Sequence, residues 1–213
     1  MGLPKAVNSG ELPNVGVPNS VTYDVTLTNN NNVLTLVIEA GTGVFWTFKL
    51  IRYTSPVEGT WKIAPEAGAL KVGPAPNSDQ WWSNALADVT TRACYFDDNY
   101  IFNSDGSFQN ILGPETWLEG WQTGIDDACG APISPHDGSS SSSYSYDENT
   151  GQLTLVGTGA YLGLPKAVNA GELPSVAVPS SVIYETTLAN NNTEMIVVIE
   201  AGNSVFWTYK LIK

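Results

Sequence analysis

Four tryptophans in the middle of the chain are the side chains best suited to hold a ligand. Trp81, Trp82, Trp117 and Trp121 lie in irregular segments rather than in alternating strand patterns. Tryptophan faces stack on the C–H faces of sugar rings, but large aromatic side chains also pack beneath long loops. The pattern therefore predicts either a glycan-binding platform or a packed layer under loops. Because Trp81 and Trp82 are adjacent, we expect one of them to cap the core.

Acidic and amide side chains in the same part of the chain indicate a second kind of site. Asp97, Asp98, Asn103 and Asp105 offer the hard oxygen ligands that calcium prefers. The run at 103–106 is too short for an EF-hand loop, and it is equally typical of a tight turn. A weak calcium site is therefore one alternative, and turns with solvated carboxylates are the other.

Catalytic patterns are weak in this sequence. His136, the only histidine, precedes Asp137 and a serine run at 139–143. Sequence neighbours on a serine-rich loop are seldom held rigidly enough for nucleophilic catalysis, and no Gly-x-Ser-x-Gly motif is present. Carboxylate pairs such as Glu115 and Glu119 could serve a glycosidase, but they arise readily by chance in an acidic chain. We therefore expect a non-catalytic protein.

A repeated sequence block determines how the chain is organised. Residues 2–52 recur without a gap as residues 163–213, a period of 161 residues, with about two-thirds of positions identical. We call these ranges the first and second blocks, and residues 53–162 the middle segment. The repeat predicts an incomplete unit at 1–52, the end of a preceding repeat, and one complete unit at 53–213. No hydrophobic leader follows Met1, so we expect an export signal outside this slice of a longer tandem array.

Alternation within each block predicts antiparallel strands. In the first block one face carries Val21, Tyr23, Val25 and Leu27, and a later strand carries Trp46, Phe48 and Leu50 on one face. The block is most simply a three-stranded meander, which alone would expose an apolar face and an open edge.

The middle segment adds further strand and turn patterns. It predicts a hairpin from 94–102 and 107–112, another from 145–147 and 152–157, and a helical turn at 115–122. No long segment has a 3.6-residue period. We therefore expect an all-β fold of about eight strands, an antiparallel β-barrel or a β-sandwich.

Composition points to the outside of the cell. A net charge of −12 repels phosphate backbones, so nucleic acid is not expected as a partner. No stretch approaches the roughly 20 apolar residues of a membrane span. Cys94 and Cys129 are the only cysteines, and we expect a disulfide rather than two buried thiols. An extracellular or cell-surface protein follows from these features.

Several strings resemble lipocalin-like β-barrel modules of secreted Bacteroidota proteins. They include Gly59-Thr60-Trp61-Lys62, similar to the start of the first lipocalin strand, and RACYFDDNYIFN, ETWLEGWQ and CGAPISPHDGS. The resemblance covers the whole predicted unit. It implies an uncharacterised module of large exported proteins of aquatic bacteria, beside polysaccharide-degrading or adhesive domains, and it brings no catalytic motif.

These observations predict a structural or adhesive repeat module that contacts neighbouring copies in a surface protein or filament. Repetition is the main reason, because an array multiplies weak contacts. A carbohydrate-binding module with polysaccharide as its partner is the alternative. A carrier with an apolar ligand inside the barrel is a third reading, against which an interior filled with Trp and Tyr would argue.

Overall fold

The computed structural model describes residues 5–213. The chain divides into two compact units, residues 1–54 and 55–213, a boundary two residues beyond the one expected from the repeat. Both units are built mainly from antiparallel strands, as the sequence predicts. No helix in the described part of the chain is long and apolar enough to cross a lipid bilayer.

The first unit is a small hairpin followed by a meander. Strands β1 (Ala6–Val7) and β2 (Gly10–Glu11) pair with each other, and β3 (Asp24–Thr28), β4 (Val33–Glu39) and β5 (Phe45–Ile51) form a three-stranded sheet. Asn29, Asn30 and Asn31 adopt positive φ between β3 and β4, a conformation that asparagine tolerates better than most residues. Ala6, Ile38 and Ala40 form the small core of this unit.

The second unit contains fourteen strands and three short helices. In chain order these are β6 (Gly59–Ile63), β7 (Leu70–Gly73), β8 (Trp82–Ser83), α1 (Leu86–Thr91), α2 (Ala93–Phe96), β9 (Asn99–Phe102), β10 (Ser107–Ile111), β11 (Thr116–Leu118), α3 (Gly120–Thr123), β12 (Ala128–Gly130), β13 (Ser142–Asp147), β14 (Gln152–Val156), β15 (Ala167–Val168), β16 (Gly171–Glu172), β17 (Ser181–Ala189), β18 (Glu194–Glu200) and β19 (Phe206–Ile212).

Eight of these strands close an antiparallel barrel. Their order around the barrel is β17, β18, β19, β6, β9, β10, β13 and β14. The pairing of β14 with β17 closes the ring. The second block therefore supplies three consecutive barrel strands, and the middle segment supplies the other five. We call these eight barrel strands the staves. Because the sheet closes on itself, the barrel alternative is correct and the sandwich alternative is wrong. Strands β7 and β8 extend the sheet beside the first half of β19.

Large side chains fill the core of this unit. The largest fully buried ones include Trp61, Tyr100, Phe102, Phe108, Tyr184 and Tyr209. The buried chain segment 160–164 lies against the tyrosines: the Leu162 amide donates to the Tyr184 hydroxyl over 2.9 Å. At Gly163 only glycine fits, because φ is +73° and a Cβ would lie 2.3 Å from the Tyr209 ring.

The expected disulfide is confirmed. Cys94 on α2 and Cys129 on β12 are bonded, closing a loop of 35 residues within the middle segment. Cys94 lies in a helix, whereas the sequence predicted that the strand begins there; β9 begins at Asn99 and pairs with β10 as expected. The helical turn predicted at 115–122 is wrong in its first half, where β11 forms.

Candidate functional site

An open cavity of about 220 Å³ lies where the second block meets the middle segment. The side chains at its wall that carry rings or charges are Trp82, Arg92, Glu119, Asp127, Lys166 and Trp207. Strand pairing explains how two tryptophans that are far apart in sequence meet here. Val72 on β7 lies opposite Trp82 of β8 on one side and opposite Trp207 of β19 on the other. The ring centroids of Trp82 and Trp207 are 6.5 Å apart.

One cation in the cavity is fully compensated. The Lys166 ammonium lies 2.6 Å from a carboxylate oxygen of Glu119 and 4.8 Å from the centroid of the Trp207 ring. Glu119 is almost wholly buried, and its other oxygen accepts the indole N–H of Trp121 over 3.1 Å. A buried carboxylate needs such partners, because desolvation of an unpaired charge is strongly unfavourable.

The other cation, Arg92, is held by aromatic rings. Its guanidinium lies 4.5 Å from the Trp117 ring centroid and 5.4 Å from that of Trp82. Among residues 5–213 no carboxylate lies within ion-pairing distance of Arg92. Arginine presents five donors in a planar fork that matches a carboxylate. The cavity therefore combines two indole rings, an arginine that lacks an anionic partner and the Asp127 carboxylate, which accepts the Gly120 amide.

The structure separates the four predicted platform residues. Trp82 lines the cavity and Trp117 packs on Arg92 at its side. Trp121 packs against the His136 ring, 6.0 Å away, and lines a different cavity. Trp81 is 53% exposed and lines neither cavity. Adjacent Trp81 and Trp82 do point to different environments, as expected, but the four residues do not make one platform.

Sequence reasoning missed most of the cavity wall. Trp207 lies on the strand that corresponds to that of Trp46; it is buried, and it also lines the cavity. Arg92 and Lys166 could not be identified from the sequence, because each lies beside an indole ring only through the tertiary fold. The strongest clue available was the pair of tryptophans in the irregular segment before α1.

The residues proposed for calcium have other roles in the described structure. Asp98 is buried and accepts the Thr116 hydroxyl over 2.6 Å, and burial raises its pKa to about 8. Asp105 closes a turn by accepting the amide and hydroxyl of Ser107, and Asn103 donates to the same hydroxyl. Asp97 is exposed. Within residues 5–213 no group of three or more His, Cys, Asp or Glu side chains could hold a metal ion.

The second candidate surface is the apolar face of the first block, which we define by Tyr23, Val25, Leu27, Trp46, Phe48 and Leu50. Val25 and Leu27 are 59% and 54% exposed, and Leu50 is 37% exposed. Leu211, the counterpart of Leu50 in the second block, is 0% exposed in the barrel. Within residues 5–213, β3 and β5 each pair only with β4, so each leaves one strand edge open.

Comparison with known proteins identifies no relative. No protein-family model, no curated protein and no solved structure matches this sequence.

Proposed function

We propose that this chain is a non-catalytic extracellular module with a structural or adhesive role, and that it assembles with further copies through the first block. The observation that carries the proposal is the apolar face of the first block. Four of its residues correspond to side chains that the second block buries in a closed barrel, namely Tyr184, Trp207, Tyr209 and Leu211, whereas the counterparts of Val25 and Leu27 are half-buried. In the first block Leu50 is exposed and Tyr23, Trp46 and Phe48 are half-buried, so the same sequence pattern is less covered there than in the barrel.

Physical arguments favour covering this face. Exposed apolar surface of this kind marks interaction sites, and open strand edges add main-chain donors and acceptors to the attraction. Each apolar side chain that becomes fully buried contributes about 1.5–3 kcal/mol. Tandem copies would then multiply contacts that are weak one at a time.

The disulfide and the charge support the extracellular assignment. Disulfides persist in oxidising compartments, and the bond between Cys94 and Cys129 lies within the barrel unit. The chain carries 21 acidic and 9 basic residues, which disfavours nucleic acid and anionic lipid as partners. The closed eight-stranded barrel and Gly59-x-Trp61 on β6 also support the proposed lipocalin-like family.

Neighbouring residues on β3 provide a matched test. Leu27→Asp places a charge on the apolar face, whereas Thr26→Asp places the same charge on the opposite face. Light scattering across concentration and electron microscopy should show oligomers or filaments for the parent chain and for Thr26→Asp. Leu27→Asp should remain monomeric at concentrations about tenfold higher. A parent chain that stays monomeric at millimolar concentration would refute assembly through this face.

A carbohydrate-binding module is the second candidate, and the cavity beside Trp82 favours it. Two indole rings, a compensated lysine and an arginine without a carboxylate partner suit a sugar that carries a carboxylate. Titration with a uronic-acid polysaccharide and with a neutral glucan tests this function. Trp82→Ala and Trp117→Ala should abolish binding, and Trp81→Ala, outside the cavity, should leave it unchanged. Equal binding by all three variants would show that the cavity is not the carbohydrate-binding site.

The carrier function receives no such support. The side chains expected to line an apolar ligand cavity are instead fully buried against one another, among them Trp61, Tyr100 and Tyr209.

A further inference from the structure

We propose that the two blocks compete for one place in the fold: the five staves of the middle segment can be closed either by β17–β19, as in the structure, or by β3–β5. The proposal deepens the proposed assembly, on which it rests only for its intermolecular form. Within a single chain it predicts an exchange between two closed barrels of the same strand order.

The first argument is the position of the chain end. In the second unit, the Lys213 ammonium donates to the carbonyl oxygen of Pro56 over 3.3 Å, and its side chain lies against Gly59 at the start of β6. The last stave of the second block thus ends beside the residues that lead into the first stave of the middle segment. Arg52, the counterpart of Lys213, precedes Pro56 by four residues. Four residues span up to roughly 13 Å, so the first block can reach this place.

The second argument is topology. Around the barrel, β19 is the antiparallel neighbour of β6. If β5 took the place of β19, the staves would follow the chain without interruption as β3, β4, β5, β6, β9, β10, β13 and β14. This is an up-and-down barrel, in which every connection joins neighbouring strands. The observed barrel is its circular permutation, because its last three staves come from the other end of the chain.

The third argument is that the first block already has the required local structure. Lys5 lies 4.7 Å from the Trp46 ring centroid, and Lys166 lies 4.8 Å from that of Trp207. The indole of Trp46 donates to Glu11, as that of Trp207 donates to Glu172. Within residues 5–213, the strands of the first block pair with one another and not with strands of the middle segment.

The fourth argument is the length of β3. In the second block, β17 begins at Ser181, and its residues 181–185 pair with β14. In the first block, the counterparts of 181–184 are residues 20–23, and they are not in a strand. Strand β3 begins at Asp24, where pairing with its own neighbour β4 begins. Pairing with β14 thus accompanies four strand residues in β17 that have no strand counterpart in β3.

The exchange can be trapped by cysteines at exposed positions. Gln152 lies opposite Glu185 in the pairing of β14 with β17, and Asp24 is the counterpart of Glu185. All three side chains are exposed. Facing residues of antiparallel strands have Cα separations of about 4.5–5.5 Å, which suit a disulfide. Asp24→Cys with Gln152→Cys reports closure by the first block, and Glu185→Cys with Gln152→Cys reports the observed closure.

Under mild oxidation in the full chain, the control pair should crosslink almost completely. The Asp24 pair should crosslink in a minor fraction, about 0.1–10%. Adding Leu211→Asp, which weakens the second block, should raise that yield at least about tenfold. Adding Leu50→Asp instead should abolish it. Mass spectrometry of the linked peptides separates these bonds from the native disulfide.

A third pair guards against crosslinking in unfolded chains. Thr26 is two residues from Asp24, but its counterpart Thr187 pairs with β18 and not with β14. Thr26→Cys with Gln152→Cys should therefore stay unlinked. If the Asp24 and Thr26 pairs link equally, or if neither links in the presence of Leu211→Asp while the control pair does, the proposal is overturned.

The size of the crosslinked products, read on a denaturing gel, separates this proposal from the proposed function. A linked monomer supports exchange within one chain even if no oligomers form, and a linked dimer supports exchange between copies. Oligomers that are lost in Leu27→Asp but contain no Asp24 crosslink would keep the assembly and overturn the exchange.

Discussion

The two copies of the repeated block have the same local structure and opposite surroundings. Both form a small hairpin followed by a three-stranded meander, and both join a lysine, a tryptophan and a glutamate in one cluster. In the second block Leu211 is fully buried and Leu188 is half-buried, whereas their counterparts Leu50 and Leu27 in the first block are exposed. Local sequence is therefore sufficient for the meander, and burial depends on five further staves.

The boundary between these two contributions is visible within a single strand. Residues 185–189 of β17 pair with β18, and their counterparts form β3. Residues 181–184 of β17 pair only with β14, and their counterparts are not in a strand. A strand needs a partner for its backbone groups, and alternation of side chains does not replace that partner. The comparison thus distinguishes what the block contributes by itself from what it receives.

The largest expected difference concerns Leu50 and Leu211. Leu50→Asp alone should lower the free energy of unfolding of the barrel by less than about 0.5 kcal/mol, because it lies in the other unit. Leu211→Asp added to that chain should lower it by about 5 kcal/mol or more, since a fully buried leucine is lost and a carboxylate is buried without a partner. Urea unfolding followed by circular dichroism measures both. Equal effects would show that the first block is part of the barrel.

The disulfide gives the next largest difference, since only the middle segment contains one. Replacing both Cys94 and Cys129 by alanine removes a crosslink that closes 35 residues. Chain entropy predicts a loss of about 4 kcal/mol in barrel stability. Hydrogen exchange should show faster opening of the barrel strands and unchanged protection in β4 and β5. Faster exchange in β4 and β5 as well would mean that the two units unfold together.

A pH titration examines the buried carboxyl of the middle segment. Burial raises the pKa of Asp98 to about 8 in the folded state, above its ordinary value near 4. The folded barrel thus holds a proton that the unfolded chain releases, and the resulting stability is lost as the pH rises through the folded-state pKa. Between pH 7 and pH 9 we expect a loss of about 1.4 kcal/mol.

Asp98→Asn provides the control for that titration, because amide and carboxyl have nearly the same shape and the amide does not titrate. Its stability should change little over the same interval. Burial lowers the pKa of His136, so this histidine stays neutral above pH 7 and does not contribute. A slope that persists in Asp98→Asn would place the titrating group elsewhere.

Much of the fold could be predicted from patterns within short stretches. Alternation located the block strands, and turn residues located the hairpins β9–β10 and β13–β14. Closure of the barrel could not be predicted, because it depends on pairing of β14 with β17 and of β19 with β6 across long separations. The same holds for β11, which pairs along its whole length with β12, so that Trp117 lies opposite Cys129.

The candidate cavity was harder to predict than the fold. Trp82 was expected to contribute, but Trp207 reaches the same cavity only through the short strand β7 that lies between them. Asp98 was a candidate calcium ligand, beside the alternative of a solvated carboxylate, because its residue type fits; in the structure it is buried, which raises its pKa to about 8. Residue type indicates what a side chain is able to do, whereas neighbours distant in sequence determine what it does.

The smallest expected difference tests the cluster that both blocks share. In the second block, Glu172→Ala leaves the indole N–H of the buried Trp207 without its acceptor, at a cost of about 1 kcal/mol or more. In the first block, Glu11→Ala should cost less than about 0.5 kcal/mol, because water can replace the acceptor beside the half-buried Trp46. Hydrogen exchange of the strand amides next to each tryptophan measures the two effects in one molecule. If Glu11→Ala matches Glu172→Ala in the isolated chain, Trp46 is already covered there, and the contrast in burial on which the assembly rests would be lost.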